Sequence, residues 1–152
     1  MPKERINRKL KTISCLVKEE FNDSELVKSN PDITTVRGFV LGYINRHNQE
    51  QVNVYQKDIE RDFRISKATA SELLDSLEEQ QLIKRVVDEQ DKRKKRLELT
   101  EPSISLTNRI DNLIDEINEK MIQGFSKEEV LEFNQYLDRI IKNLEKEDDS
   151  HD

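Results

Sequence analysis

The longest break in the helical patterning of this chain lies between Leu82 and Leu99, and that break constrains the fold more than any other stretch. Leu82-Ile83-Lys84-Arg85-Val86-Val87 and Lys95-Arg96-Leu97-Glu98-Leu99 are β-compatible runs, and Asp88 to Lys94 joins them. The segment reads as one hairpin with a long charged tip, hung on the end of a helical chain. Three Gly and three Pro in 152 residues favour long helices over a turn-rich β fold.

On either side, apolar residues recur at helical spacing. Ile6, Leu10, Ile13, Val17 and Phe21 make a first amphipathic helix, which Asn22-Asp23-Ser24 ends. Asn30-Pro31-Asp32 marks a loop, and Thr34 or Thr35 caps a second helix with Val36, Phe39, Val40, Tyr43 and Ile44 on its face. Asn48 to Gln51 is a polar connection, and Val52 with Val54 predicts a short strand. A third helix from about Tyr55 to Phe63 turns Ile59 and Phe63 inward. Ser66 caps a fourth, whose apolar side is Ala70, Leu73, Leu74 and Leu77.

After the hairpin, Thr100 with Pro102 just inside predicts a helix start. That helix carries Leu106, Ile110, Leu113, Ile117 and Met121, and Gly124 stops it. Ser126 and Glu129 form a capping box, with Phe125 and Val130 at the staple positions. The last helix shows Val130, Phe133, Leu137, Ile140, Ile141 and Leu144. The stripes of the terminal helices exceed what a small central region can cover. Burial against a second copy is the simplest remedy, so a homodimer is expected.

Charge is divided unevenly. Residues 1–55 carry +2, residues 56–96 carry +1, and residues 97–152 carry −9, within an overall −6. Lys84 to Arg96 alone holds 7 basic and 3 acidic groups. Phosphate binding responds to local charge within a Debye length, about 8 Å at physiological salt, so the acidic total does not exclude it. The acid-rich end, 147–152, reads as a disordered, solubilising tail. No apolar run reaches the roughly 18 residues of a membrane span, and a signal-peptide core is lacking. One cysteine makes no internal disulfide, which fits a reducing cytoplasm.

A short helix with small hydroxyl residues on one face, followed by a cationic hairpin, is equipment for reading double-stranded DNA. Ser66, Lys67, Thr69 and Ser71 fall on the exposed, N-terminal part of the fourth helix. Alone they read as ordinary capping and a polar face; beside the hairpin, contact with base edges and phosphates is favoured. Arg93 at the tip is suited to a narrow minor groove, with Asp91 as its orienting ion-pair partner. Lys84, Arg85, Lys92, Lys94 and Lys95 are candidates for phosphate contacts, which position without specifying, and Gln56 and Lys57 are weaker ones.

The run Gln56-Lys57-Asp58-Ile59, then Ile65 to Ser71, Leu82-Ile83-Lys84-Arg85, Asp91-Lys92-Arg93 and Leu97-Glu98-Leu99-Thr100-Glu101 resembles the MarR family of bacterial regulators. The resemblance is specific over roughly Tyr55–Glu101 and architectural in the flanks. It implies a mainly α fold with a small β-hairpin wing, in which a winged helix-turn-helix lobe joins N- and C-terminal dimerisation helices. On that reading residues 1–152 form a single domain. Residues 1–50 and 101–146 are largely dimerisation helices, and 52–100 are the DNA-binding lobe. The resemblance further implies a dimer that binds a pseudo-palindromic operator, usually represses, and is released by a small-molecule effector. Gln81 stands where many members have Gly; there Gly would relieve a left-handed cap, at a difference of about 1 kcal/mol.

Other features carry weaker readings. Some relatives sense peroxides with one cysteine in the first helix, activated by nearby tyrosines, so Cys15 raises a redox-responsive alternative. No tyrosine precedes Tyr43, and Cys15 lies off the apolar stripe, so a surface or interface cysteine is favoured. His47, His151 and Cys15 offer no zinc spacing, and no cofactor is expected. Gly38-x₃-Gly42 permits close helix approach or leaves room for a ligand, with packing favoured. Arg46 and His47 are a guess for an anionic effector. A winged-helix protein-interaction module is the remaining binding alternative. With no Gly-rich phosphate loop, nucleophile elbow or Ser/His/Asp constellation, the chain is not expected to be an enzyme.

Overall fold

The computed structural model describes residues 5–146; the tail at 147–152 lies outside the described residues. Among those described, the order is α1 (Ile6–Asp23), α2 (Glu25–Ser29), α3 (Thr35–Gln49), α4 (Gln56–Phe63), α5 (Lys67–Glu79), β1 (Ile83–Val87), β2 (Lys95–Leu99), a 3₁₀ turn (Glu101–Ser103), α6 (Ile104–Met121) and α7 (Lys127–Leu144). No helix among the described residues is long and apolar enough to cross a membrane. The chain divides into two compact units, Met1–Ile117 and Asn118–Asp152.

In the first unit, local chemistry sets the element ends. Ser24 closes α1 by donating its backbone N–H to Phe21 O, and its hydroxyl then caps α2 at Val27 N, 3.3 Å away. Thr34 caps α3 through Arg37 N at 3.3 Å. Three helices end at left-handed residues that are not glycine: Gln51 after α3, Arg64 after α4 and Gln81 after α5, with φ of 61°, 53° and 62°. The strain anticipated at Gln81 is therefore present, since L side chains disfavour this region by about 1–2 kcal/mol.

The strands β1 and β2 pair antiparallel in the register Ile83↔Leu99, Arg85↔Leu97 and Val87↔Lys95. Ile83, Leu97 and Leu99 point into a core shared with Val40, Leu41 and Ile44 of α3, Ile59 of α4, Leu74 and Leu77 of α5, and Ile110 of α6. Full burial of each such side chain contributes roughly 1.5–3 kcal/mol. Gly38 and Gly42 act in packing: a Cβ on Gly38 would sit 2.3 Å from Phe21 Cζ, and one on Gly42 would sit 3.0 Å from Asp111 Oδ1. The space beside this pair is filled by α1 and α6 side chains, not left for a ligand.

Three local expectations are corrected. The five-residue α2 was not foreseen, because one turn is too short to show periodicity. Val52 and Val54 form no strand; only Val54 O, accepting from Leu97 N at 2.7 Å, and an isolated bridge at Tyr55↔Arg96 reach the hairpin. Tyr55 must already cap α4, so too little extended chain remains to pair. Thr100 and Pro102 open the 3₁₀ turn, and α6 itself begins at Ile104.

In the second unit, Gly124 takes φ +86° and the chain re-enters helix at Ser126. The capping box forms as the sequence predicts: Ser126 N donates to Glu129 Oε1 at 2.9 Å, and Glu129 N to Ser126 Oγ at 3.1 Å. Phe125 and Phe133 meet edge to face, with centroids 6.4 Å apart. No residue of α7 is buried.

Candidate nucleic-acid interface

The site is built from α4, α5 and the hairpin. Tyr55 opens α4, with its backbone N–H donated to Asp58 Oδ2 at 2.9 Å. The left-handed Arg64 then turns the chain, and Ser66 starts α5. Ser66 Oγ accepts from Thr69 N at 3.0 Å and donates to Thr69 Oγ1 at 2.9 Å. Capping and surface chemistry thus coexist here: Thr69 accepts one bond and keeps its own hydroxyl proton for another partner. Ser66, Lys67 and Thr69 are exposed on the first turn of α5, whereas Ser71 is half-buried.

At the tip of the hairpin, Asp91 holds Arg93 three times. Its Oδ1 accepts from Arg93 N at 3.0 Å and Nε at 3.1 Å, and its Oδ2 from Nη2 at 3.3 Å. These bonds, the side-chain one first, hold the Asp91 carboxyl below its ordinary value. The Arg93 side chain is nevertheless 92% exposed, so the pair orients the guanidinium without covering it. Lys84, Lys92, Lys94 and Lys95 are also exposed.

The base of the hairpin's loop is held by residues the sequence did not single out. Asp88 is buried and accepts from Tyr55 OH and, at 2.9 Å, from Gln90 N. The Tyr55 bond is the main cause of the lowered Asp88 carboxyl, and the same bond raises the Tyr55 phenol. Lys94 Nζ lies 5.4 Å from the centre of the Tyr55 ring. Between the hairpin and the start of α4 is an open cleft of about 670 Å³, lined by Gln56, Lys57, Arg61, Arg93, Lys94 and Lys95 among others. Seven of the thirteen residues anticipated as DNA-binding, Gln56, Lys57, Arg85, Asp91, Arg93, Lys94 and Lys95, are brought together there.

Arg85 differs from the other cations. Its side chain is only 16% exposed, and Nη1 bridges Asp75 Oδ1 at 2.8 Å and Glu78 Oε1 at 3.2 Å, both on α5. Its backbone N–H also donates to Glu78 Oε2 at 3.3 Å. Arg37 makes a second link to α5, donating to Ser76 Oγ at 2.7 Å and to Asp32 O at 3.2 Å.

Arg46 and His47 do not line this cleft. Arg46 Nε lies 3.5 Å from Asp111 Oδ1, and its Nη2 pairs with Asp115. His47 Nδ1 is 2.8 Å from Tyr43 O, with the two rings stacked 4.0 Å apart. Burial first, then its bond to Asp62, pushes the Tyr43 phenol up to about 12. An anionic ligand at Arg46 would meet two carboxylates already in place. Cys15 is exposed on α1. Among the described residues no cluster of His, Cys, Asp and Glu is arranged to hold a metal ion.

Comparison with known proteins agrees with this geometry. A model of the MarR family matches residues 32–94. The solved structure of the transcription regulator MarR from Oenococcus oeni PSU-1 is 30% identical, with a TM-score of 0.78, covering 91% of this chain and 99% of that one. The DNA complex of MepR from S. aureus is 29% identical, with a TM-score of 0.77, covering 93% and 100%. MepR in its DNA-binding conformation gives a TM-score of 0.84 at the same identity and coverage. The lobe of α4, α5 and a two-stranded wing, the matched family model and the near-complete overlap with these regulators lead to one conclusion: this chain belongs to the MarR family and is a winged helix transcription regulator with a DNA-binding fold.

Proposed function

We propose that the protein is a dimeric repressor that binds a pseudo-palindromic operator and is released by a small-molecule effector. The observation that carries the reading is the wing tip, where an exposed Arg93 is aimed by Asp91 on the same lobe that exposes Ser66, Lys67 and Thr69 at the start of α5. The first turn of α5 enters a major groove, with Ser71 farther along the helix, and Arg93 enters the adjacent minor groove. Lys57, Lys84, Lys92, Lys94 and Lys95, with Gln56, contact phosphates. A MarR-family relative was solved as a DNA complex, which supports this mode.

The dimer is supported by the exposed apolar side chains of α1 and α7. Ile6, Leu10, Ile13 and Leu16 are uncovered on one, and Leu131, Phe133, Ile141 and Leu144 on the other. Faces of this kind call for a partner, and closed two-fold symmetry is the commonest solution. Residues 1–50 and 101–146 then serve mainly as the dimer-forming part, with 52–100 as the reading lobe. A cytoplasmic location suits a regulator of this kind.

Selection of random duplex DNA near physiological salt, with Arg93→Ala in parallel, tests the reading. The expected result is an inverted repeat with half-sites about one helical turn apart, and at least a tenfold weaker complex for the variant, roughly 1.4 kcal/mol. Wild-type affinity in a folded Arg93→Ala dimer refutes the role of the wing.

A further inference from the structure

We propose that Arg85 is a positioning residue that locks the wing to α5, so that the two DNA-reading elements move as one body. The inference rests on the function proposed above and deepens it. Arg85 follows Lys84 at the start of the basic hairpin, and by charge alone it belongs with the phosphate-binding lysines. Its geometry assigns it otherwise. Its side chain is the least exposed of the paired cations in the hairpin, at 16% against 58% for Lys84, 21% for Arg96 and 92% for Arg93. It bridges two acids on α5, and Glu78 is held twice, by the guanidinium and by the backbone N–H of Arg85.

Strand β1 otherwise joins α5 at its root, through the turn at Gln80-Gln81-Leu82, whose centre sits at φ +62°, and through Ile83 packed in the core with Leu74 and Leu77. At this junction a bond farther along the strand adds leverage that contacts at its root lack. The Asp75–Arg85–Glu78 bridge crosses it as a strut. An arginine is suited to that task, since its planar fork meets two carboxylates at fixed angles, whereas a lysine offers a point charge. What the strut fixes is the offset between the first turn of α5 and Arg93. That offset decides whether a major-groove contact and the neighbouring minor-groove contact form together.

A strut and a phosphate contact make opposite predictions for the acids. A carboxylate on a DNA-facing helix repels phosphate, so its neutralisation alone raises affinity. If the strut matters, the double variant Asp75→Asn, Glu78→Gln lowers it. The experiment measures operator affinity against salt for wild type, this double variant, Arg85→Lys and Arg85→Gln. Backbone order parameters of residues 84–94 are recorded without DNA on the same proteins, with thermal unfolding as the check of fold. The expected result is about fivefold or more weaker binding by Arg85→Lys and by the acid double variant. The wild-type salt slope should be retained, and order in the wing reduced. A lost phosphate contact lowers that slope by about 0.9, so a shallower slope in Arg85→Gln overturns the proposal. So does a double variant that binds as tightly as wild type or more tightly. If wild type binds no duplex, the proposed function fails, and the order parameters alone decide the strut: an unchanged wing in the double variant refutes it.

Discussion

In the winged lobe, Ile59, Leu74, Leu77, Ile83 and Leu97 are all but fully buried within one chain, whereas in α7 not one residue is buried. Helix α1 resembles α7 in this: over most of its length Ile6, Leu10, Ile13 and Leu16 are exposed, and only Phe21 at its end is covered. The helices at both ends are as strongly amphipathic in sequence as those of the lobe. Amphipathicity therefore says that a face must be covered, and not by what. The lobe covers its own faces, and the proposed dimer covers the rest.

Substitutions in the two regions should fail differently. Leu74→Ala removes a fully buried side chain and should lower the unfolding free energy by roughly 2–5 kcal/mol in urea titration. Its dimerisation constant should stay close to that of wild type. Leu131→Glu acts on a residue 63% exposed in α7. It should weaken association by about 2 kcal/mol, roughly thirtyfold by sedimentation equilibrium. At a protein concentration where both are monomeric, the lobe should unfold as in wild type. A Leu131→Glu protein that associates normally would break the comparison.

Two smaller effects sharpen it within the lobe. Gln81→Gly should raise stability by roughly 0.5–1 kcal/mol, because the left-handed backbone at this corner is strained for Gln and free for Gly. Chemical denaturation reads the gain directly. The smallest expectation concerns pH. Asp88 and Asp91 both have carboxyls held below their ordinary values by bonds from Tyr55 and Arg93. A group depressed on folding lends its full stability above the unfolded value, about 3.9, and loses it as pH falls through the depressed one. The wing should therefore be unchanged from pH 5 to 8 and loosen only in stronger acid, as carboxyl-detected NMR titration would show.

The helices and the hairpin were legible in the sequence because periodicities of 3.6 and 2 are local. Ser66, Thr34 and the Ser126–Glu129 box mark starts that the structure reproduces. The pairing of Asp91 with Arg93 was legible too, since two residues at a hairpin tip have little choice of partner. What the sequence hid was long-range or too short. Tyr55 and Asp88 are 33 positions apart, and Arg37 and Ser76 are 39 apart, so no window includes both members of either pair. The one-turn α2 is too short to carry a period. In the basic run, Arg85 reads the same as its neighbours, and only the fold turns it toward α5.

The brace at the wing tip also has a thermodynamic side. A free arginine side chain carries roughly 2 kcal/mol of rotamer entropy, which any partner must remove before a fixed contact forms. With two bonds from the Arg93 guanidinium to Asp91, much of that disorder is removed when the chain folds, well before anything is bound. A partner arriving at the wing meets a guanidinium already aimed, and less of the binding free energy is lost to ordering it.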